Sequence, residues 1–313
     1  MKRKNESTFK EALMINSFEE LFSHLKEKGR ENIVVAGGED IEAVKAVRKS
    51  YDYGFGRGIL VGDREKIEDV LSQFSDKDFV EDVVHAVTDE EKSSFAVQRV
   101  QKGGVLLKGQ VKTSKLLKEV LDKENGLRTG SIISDVFVFE DQREEGQKLV
   151  LMSDGGVNIK PDIKTLISIV KNAVRLAHKL GKENPLVAML AAVEVVNPDM
   201  EETIAAALIS QMNKRRQIKS CTIDGPLALD NAISQYAAKK KGIKSAVAGI
   251  ADILIVPNIA AGNIFGKALT YYANFKNGHI IVGTKVPVMI PSRADTSDVK
   301  FNSIALAIVS KNE

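Results

Sequence analysis

Residues 149–162 read LVLMSDGGVNIKPD. The four apolar residues 149–152 have the character of the end of a buried strand. Ser153-Asp154-Gly155-Gly156 then breaks the strand with the residues of a tight turn, where glycine tolerates positive φ and lets the backbone approach a ligand. Asn158 follows, and Pro161 suits the first turn of a helix, where a missing N–H costs nothing. Ile163, Leu166, Ile167, Val170, Val174 and Ala177 share one face of that helix, and Gly181 ends it. In open α/β sheets, ligands sit beyond the carboxyl ends of strands, where turns of this kind lie. An ordinary strand-to-helix turn has the same composition, so this stretch settles local structure before it settles a site.

The same alternation runs along the rest of the chain. Phe18, Leu21, Phe22 and Leu25 stripe a first helix. A strand at 33–36 ends in Gly37-Gly38-Glu39-Asp40 and leads into a helix at 41–48. A second strand at 59–63 precedes a helix at 64–71, and Val83 and Val84 belong to a third strand, with a helix near 91–102. The strand at 105–107 closes on Lys108-Gly109, with Thr113 placed to cap the next helix. Alternation of this length predicts βαβ units and a parallel sheet. The rhythm changes at 135–147, where a strand at 136–139 meets the polar run 140–146, read as an exposed turn near a domain boundary. It then resumes: 186–193 leads to a helix at 201–212, and 221–223 ends in Asp224-Gly225-Pro226. The strand at 253–256 ends in Pro257-Asn258, with Asn263 opening a helix, and 279–282 and 286–290 are further strands. Asp154, Asp224-Gly225, Asn258 and Ser292-Arg293 all follow apolar strands, so one parallel sheet gathers several of them at an edge and predicts a cleft.

Composition narrows the function classes. The 313 residues suffice for two domains or one large one, and 43% hydrophobic with 28% charged residues argues against disorder. The 45 basic and 42 acidic residues nearly cancel to +3, and no basic stripe with interleaved aromatics marks a nucleic-acid partner. Cys221 is the sole cysteine, so no internal disulfide forms and a reducing compartment is expected. The basic N-terminal segment 1–21 lacks the apolar core of a signal peptide, and no apolar run reaches the length of a membrane span. The expectation is a cytoplasmic protein with no membrane partner. His24, His85, His178 and His279 are scattered and there is no cysteine cluster, so no metal site is expected. The P-loop, the G-x-G-x-x-G fingerprint and the G-x-S-x-G elbow are all missing.

Four ordered blocks carry a resemblance: SDGGVNIKPD (153–162), IDGPLALDNAIS (223–234), ADILIVPNIAAGNIFGKAL (251–269) and VPVMIPSRADTSDVKFNSIALA (286–307). Together they resemble the phosphate acetyl/butyryltransferase family, over most of the chain from about Gly104. The resemblance implies a two-domain α/β fold of the isocitrate/isopropylmalate dehydrogenase kind, with the active site in the cleft between domains. It places 1–147 plus 294–313 in the first domain and 148–293 in the second. It implies transfer of a short acyl group, butyryl favoured and acetyl the alternative, between coenzyme A and inorganic phosphate. Acyl-CoA, phosphate and acyl phosphate are then the substrates and products, with no cofactor, and the chain is a homodimer or higher homo-oligomer. Two readings from other classes remain open: a two-lobed, non-enzymatic binder of a small anion, and a decarboxylating dehydrogenase of the same fold. The metal-binding Asp cluster that the latter needs is not evident.

The resemblance also implies roles. Arg293 matches the phosphate-binding arginine, and a guanidinium fork fits phosphate oxygens geometrically. Ser292 matches the serine that hydrogen-bonds the sulfur or carbonyl as charge develops. An acid shortly after the Ser-Arg pair takes the thiol proton, since the thiolate is the nucleophile; Asp298 is the candidate, with Asp295 also available. Lys108-Gly109 with Thr113 matches a K-G-x-x-x-[ST] turn, and Arg128 is a partner for coenzyme A phosphates. A helix N-terminus with free N–H groups suits a phosphate. Asp154, Asn158, Asp224-Gly225-Pro226, Asn263 and Lys267 match positions on the second-domain side of the cleft.

Overall fold

The structure is a computed structural model that describes residues 14–142 and 147–311. Residues 1–13 of the basic N-terminal segment, and 143–146 of the polar run, lie outside the described residues.

The chain opens with α1 (Phe18–Lys28), β1 (Glu31–Ala36), α2 (Ile41–Asp52), β2 (Gly56–Gly62), α3 (Arg64–Leu71) and β3 (Val80–His85). It continues through α4 (Asp89–Val100), β4 (Val105–Lys108), α5 (Thr113–Val120), β5 (Ser134–Asp141), β6 (Lys148–Ser153) and α6 (Ile163–Lys179). Then come β7 (Leu186–Leu190), α7 (Glu201–Lys214), β8 (Thr222–Leu227), α8 (Leu229–Ile233) and α9 (Gln235–Lys240). The last elements are β9 (Ile253–Ile255), α10 (Ile259–Tyr271), β10 (Asn277–Val282), β11 (Val288–Met289) and α11 (Ser297–Ser310).

All these strands join one sheet in the order β3-β2-β1-β4-β11-β10-β5-β6-β9-β7-β8. From β3 to β11 the pairs are parallel, and so are those from β6 to β8. Between the two blocks, β10 is antiparallel to both β11 and β5, and β5 is antiparallel to β6. The blocks therefore run in opposite directions. The sheet is mixed rather than wholly parallel, so strand-end residues do not all collect at one edge. The apolar runs in β1, β4, β6 and β9 are buried throughout, because helices cover both faces and leave no solvent side for an alternating pattern. No helix among the described residues is long and apolar enough to cross a membrane.

Five local expectations change. Asn263, expected to open a helix, is the fifth residue of α10, which Asn258 caps. Glu140 and Asp141 are buried at the end of β5 rather than in an exposed turn, and the Glu140 carboxylate accepts the Phe18 N–H at 2.7 Å. Thr113 is the first residue of α5, whose cap is Lys112 without a side-chain bond. Pro161 precedes the α6 cap, Asp162, whose carboxylate accepts the Thr165 N–H. Asp224-Gly225-Pro226 lies inside β8, at the far edge of the sheet, rather than beyond a strand end.

The C-terminal helix α11 packs on α1, α2 and β10. Its Phe301, fully buried, stands 4.4 Å from the Phe22 ring and 5.5 Å from the Phe55 ring between centroids. Removing so large a buried ring leaves a cavity that its neighbours fill only partly. Phe301→Ala should cost about 3–5 kcal/mol of unfolding free energy, read from the urea midpoint at unchanged m-value. A loss below ~1 kcal/mol would mean that α11 does not anchor this part of the core.

Candidate active site

The turn after β6 forms part of the site. Asp154, 2% exposed, accepts N–H groups from Gly156 at 2.8 Å, Val157 at 2.9 Å and Asn158 at 3.2 Å, and the Asn158 side-chain amide at 2.5 Å. Burial pushes its carboxyl above the ordinary value; the donated bonds pull against that, and the charge of Asp135 adds to it. Asn158 also donates to the Ile133 carbonyl at 2.9 Å, tying the turn to the start of β5. The turn presents Gly155 and Gly156 to a cavity of about 300 Å³.

Strand register builds the floor of that cavity. Met152, Phe137 and His279 lie side by side across β6, β5 and β10. With period two, Asp135 and Ile281 share their face, and all five line the cavity. Thr113 and Leu117 of α5, Asn263, Gly266 and Lys267 of α10, and Ser292 and Asp295 beyond β11 complete it.

His279 is held at both ring nitrogens, Nδ1 3.2 Å from the Asp135 carboxylate and Nε2 3.4 Å from that of Asp295. Burial alone would lower its pKa, but the hydrogen bonds and charges of the two aspartates outweigh it and raise it to about 10. The ring is therefore an imidazolium at neutral pH. Burial raises the Asp295 carboxyl, but His279 above all, with the Ser292 N–H and the charge of Lys300, brings it below the ordinary range. The Ser292 N–H donates to Asp295 at 2.7 Å, which fixes the loop carrying Ser292 and Arg293.

A second space of about 540 Å³ shares Pro291 and Ser292 with the first. Lys108, Lys112, Arg293 and Lys300 line it with Glu39, Asp40 and Asp89. Burial holds the Lys108 amine below its ordinary pKa; Asp40 works against that, while Arg293 and Lys300 reinforce it. Gly109 is required here, because a Cβ would run into the Gly37 carbonyl of the neighbouring loop. The buried Lys300 amine reaches Asp40 at 3.4 Å and the Asp295 carbonyl at 3.2 Å. Arg293 has no carboxylate partner among the described residues, so this half of the cleft has cationic groups in excess around Ser292.

A family model described as "Phosphate acetyl/butaryl transferase" matches residues 66–308. The chain belongs to this family. It is 43% identical over 298 residues to the phosphate butyryltransferase of Clostridium acetobutylicum, covering 94% of this chain and 98% of that protein. It is 41% identical over 297 residues to the phosphate acetyltransferase of Thermotoga maritima, covering 93% and 98%. Among solved structures, a branched-chain phosphotransacylase from Enterococcus faecalis V583 superposes with TM-score 0.79 at 34% identity, covering 89% of this chain and 98% of that one. A Salmonella typhimurium protein described as a 4-hydroxythreonine-4-phosphate dehydrogenase, at 11% identity and TM-score 0.52 over 90% and 99%, shares the fold alone. The dehydrogenase-like fold class inferred from the sequence is thus present in this transferase-family chain.

Within that frame, the expected site residues divide. Lys108, Gly109 and Arg293 line the cationic half, Thr113, Asn263 and Lys267 the other, and Ser292 both. Asp154 and Asn158 support the turn from beneath. Arg128, exposed and bridged to Thr284, lines neither half, nor do Asp224, Gly225 and Pro226 on β8. Asp298 is also outside: its side chain is 72% exposed at the first turn of α11 and pairs with Lys49 at 2.8 Å. Asp295, three residues earlier, lines the cleft beside Ser292. Asp135, His279 and Lys300 were not foreseen. For His279 a signal existed, a titratable ring within the apolar strand NGHIIV; only the fold shows that Asp135 reaches it.

A larger apolar groove of about 750 Å³ lies between α6, α7 and the start of α10. Among the described residues its charged lining comes from Lys160, Asp162, Glu201 and Glu202, none of them among the expected site residues, and Lys160 pairs with Glu201. Among the described residues, no group of three or more His, Cys, Asp or Glu side chains is arranged to hold a metal ion.

The His279 assembly has a pH signature. A group raised in the fold from 6.5 to about 10 stabilises fully below pH 6.5, and that contribution is lost as pH rises through about 10. The stability gap between the wild type and His279→Gln should be widest at and below pH ~6.5 and should narrow toward pH ~10. Thermal unfolding across that window checks it, and a pH-independent gap would refute an imidazolium between Asp135 and Asp295.

Proposed function

We propose that this cleft transfers a short acyl group between coenzyme A and inorganic phosphate, acyl-CoA plus phosphate giving acyl phosphate plus coenzyme A. One observation carries this reading beyond family membership: Ser292-Arg293 stands where a cationic space meets a space floored by Phe137 and Met152. A phosphate dianion and an apolar acyl chain need those two environments side by side.

Arg293 grips the phosphate, and Lys108 and Lys300 add positive charge around it. Ser292 donates to the carbonyl oxygen or sulfur as negative charge develops. Asn263 and Lys267 bind from the α10 side, and the turn from Gly155 to Asn158, packed against α10 at Gly262, continues that wall. The base is Asp295 rather than Asp298, because Asp295 faces the cavity and Asp298 faces solvent. In the direction of acyl-CoA synthesis, Asp295 takes the proton from the coenzyme A thiol. The thiolate attacks the acyl-phosphate carbonyl, the new C–S bond forms, and the C–O bond to phosphate breaks. Phosphate leaves with the electron pair and takes up the proton from Asp295. Thioester and hydrogen phosphate result, with no net redox change and no cofactor.

The division into lobes of 1–147 plus 294–313 and of 148–293 belongs to the same proposal. Lys108, Thr113, Asp135 and Asp295 come from one lobe; Asn263, Lys267, His279, Ser292 and Arg293 come from the other. A cytoplasmic homodimer or higher homo-oligomer completes it, with exposed Ile159 (75%) and Ile204 (45%) in the apolar groove supporting self-association.

Phosphate-dependent release of coenzyme A from acetyl-, propionyl- and butyryl-CoA is the direct test, and no release from any of them refutes the reading. Arg293→Ala should raise KM for phosphate far more than KM for acyl-CoA, a charge-assisted bond to phosphate contributing ~1.5–3 kcal/mol. Asp295→Asn should lower kcat by about 10²–10⁴, with relief as pH approaches the thiol pKa, whereas Asp298→Asn should stay within about 3-fold of wild type. The reverse ranking would return the role of base to Asp298. Chelation of divalent metals should leave the rate unchanged; loss on chelation with recovery on adding Mg²⁺ would contradict a metal-free site.

A further inference from the structure

Two glycines one turn apart on α10 face the sheet, and the structure treats them differently. A Cβ on Gly262 would stand 2.7 Å from the Gly155 Cα, 2.9 Å from the Asp154 carbonyl oxygen and 3.0 Å from Val256. Backbone packing against the turn after β6 therefore demands that glycine. A Cβ on Gly266 would meet the tip of Met152 at 3.5 Å and the Phe137 ring at 3.6 and 3.7 Å, which are ordinary contact distances. Neither packing nor backbone geometry calls for glycine at 266: it lies within α10, and the bond its carbonyl accepts from the Thr270 hydroxyl at 2.9 Å is open to any residue. Glycine is also less favourable than alanine in a helix interior. What the missing side chain leaves is room, and that room lies in the cleft, over the apolar floor of Phe137 and Met152 and in one cavity with Ser292 and Asp295.

We propose that Gly266 sets acyl-chain length: the space above Phe137 and Met152 is the acyl subsite, and the absent side chain admits a butyryl-sized chain. The proposal rests on the acyl-transfer reading and specifies the substrate of that same site. With the carbonyl at Ser292, the hydrocarbon lies over Phe137 and Met152 alongside Gly266, not between Gly266 and the floor, where a Cβ would already touch both, and every added methylene exchanges water for apolar contact. A methyl group from residue 266 occupies the volume that the far end of the chain needs, while an acetyl group stops short of it. A hydrophobic pocket discriminates one methylene by roughly 10- to 200-fold.

The test compares kcat/KM for acetyl-, propionyl-, butyryl- and isobutyryl-CoA, at saturating phosphate, in the wild type, Gly266→Ala and Gly266→Val. The wild type should favour butyryl- over acetyl-CoA. Gly266→Ala should cut the butyryl-to-acetyl ratio by about 10-fold, with acetyl-CoA within about 3-fold of wild type and Tm unchanged or raised, and Gly266→Val should cut it further. If the valine variant loses its fold, the alanine variant alone decides. An unchanged ratio in Gly266→Ala overturns the proposal, and so does an equal loss on all four thioesters, since each removes residue 266 from the chain-length subsite. A wild type that releases coenzyme A from none of them refutes acyl transfer itself, a result distinct from an active enzyme whose preference ignores residue 266.

Discussion

The Asp154 carboxylate must collect hydrogen-bond donors where it lies, because an uncompensated charge with 2% exposure carries a large desolvation penalty. Three successive backbone N–H groups and the Asn158 amide meet that need, and in doing so they dictate the path of residues 155–158. The path brings Gly155 against Gly262, so α10 lies close over the sheet. It also sets Gly156 beside Asp135, whose carboxylate reaches His279, whose ring in turn reaches Asp295. One buried charge and its donors thus connect the turn after β6, the helix covering the cleft and the loop that carries Ser292 and Arg293.

The reversal of strand direction at β5 and β10 makes that connection possible. A wholly parallel sheet would send the ends of β6 and β11 the same way but would not place antiparallel strands between them. Because β10 and β5 intervene, Asp135 and His279 project from mid-sheet into the space bounded by the ends of β6 and β11. The site therefore has a sheet-borne floor, with Met152, Phe137 and His279 in one row, and loop-borne walls. Floor residues are fixed by register, which a packed sheet does not readily let slip. The walls carry Arg293 and Lys267, long side chains that can adjust to a substrate.

Much of the fold was legible in the sequence because its signals are local. Apolar runs at 33–36, 59–61, 105–107 and 149–152 read as buried strands, and the apolar stripe of α6 read as a helix. What failed lay at helix ends or depended on partners distant in the chain. Thr113, expected as a cap, is the first residue of α5, Pro161, expected in the first turn, precedes the α6 cap, and Glu140 was read as exposed because nothing nearby shows that Phe18, 122 residues earlier, supplies its donor. Ser292, Arg293, Lys108 and Asn263, picked out by motif resemblance, line the two adjoining spaces. The Asp135–His279–Asp295 array was not, since its members are spread over three segments that only strand pairing brings together. Asp295 and Asp298 could not be separated in sequence, because both follow Ser292-Arg293 closely; a cap at Thr296 starts α11 between them and turns Asp298 outward.

The electrostatics of Asp295 constrain how it can act as a base. Its carboxyl lies below the ordinary 3.8, because His279 and the Ser292 N–H hold the ionised form. A free thiol has a pKa of about 8.5, so unaided proton transfer to such a carboxylate is uphill by at least ~6 kcal/mol. Turnover at 1–10³ per second corresponds to a barrier of about 13–17 kcal/mol, so a step of that size fits, but it leaves little for the attack that follows. The difference must come from the thiolate side. Lys108, Arg293 and Lys300 stand in the space adjoining Ser292, and nearby cations lower a thiol's pKa. The low pKa of Asp295 then suits the base role proposed for it: an ionised carboxylate is ready to accept the thiol proton and would give it up readily to the departing phosphate. In the proposed mechanism, the cationic half of the cleft and the imidazolium beneath Asp295 thus act on opposite partners of one proton transfer.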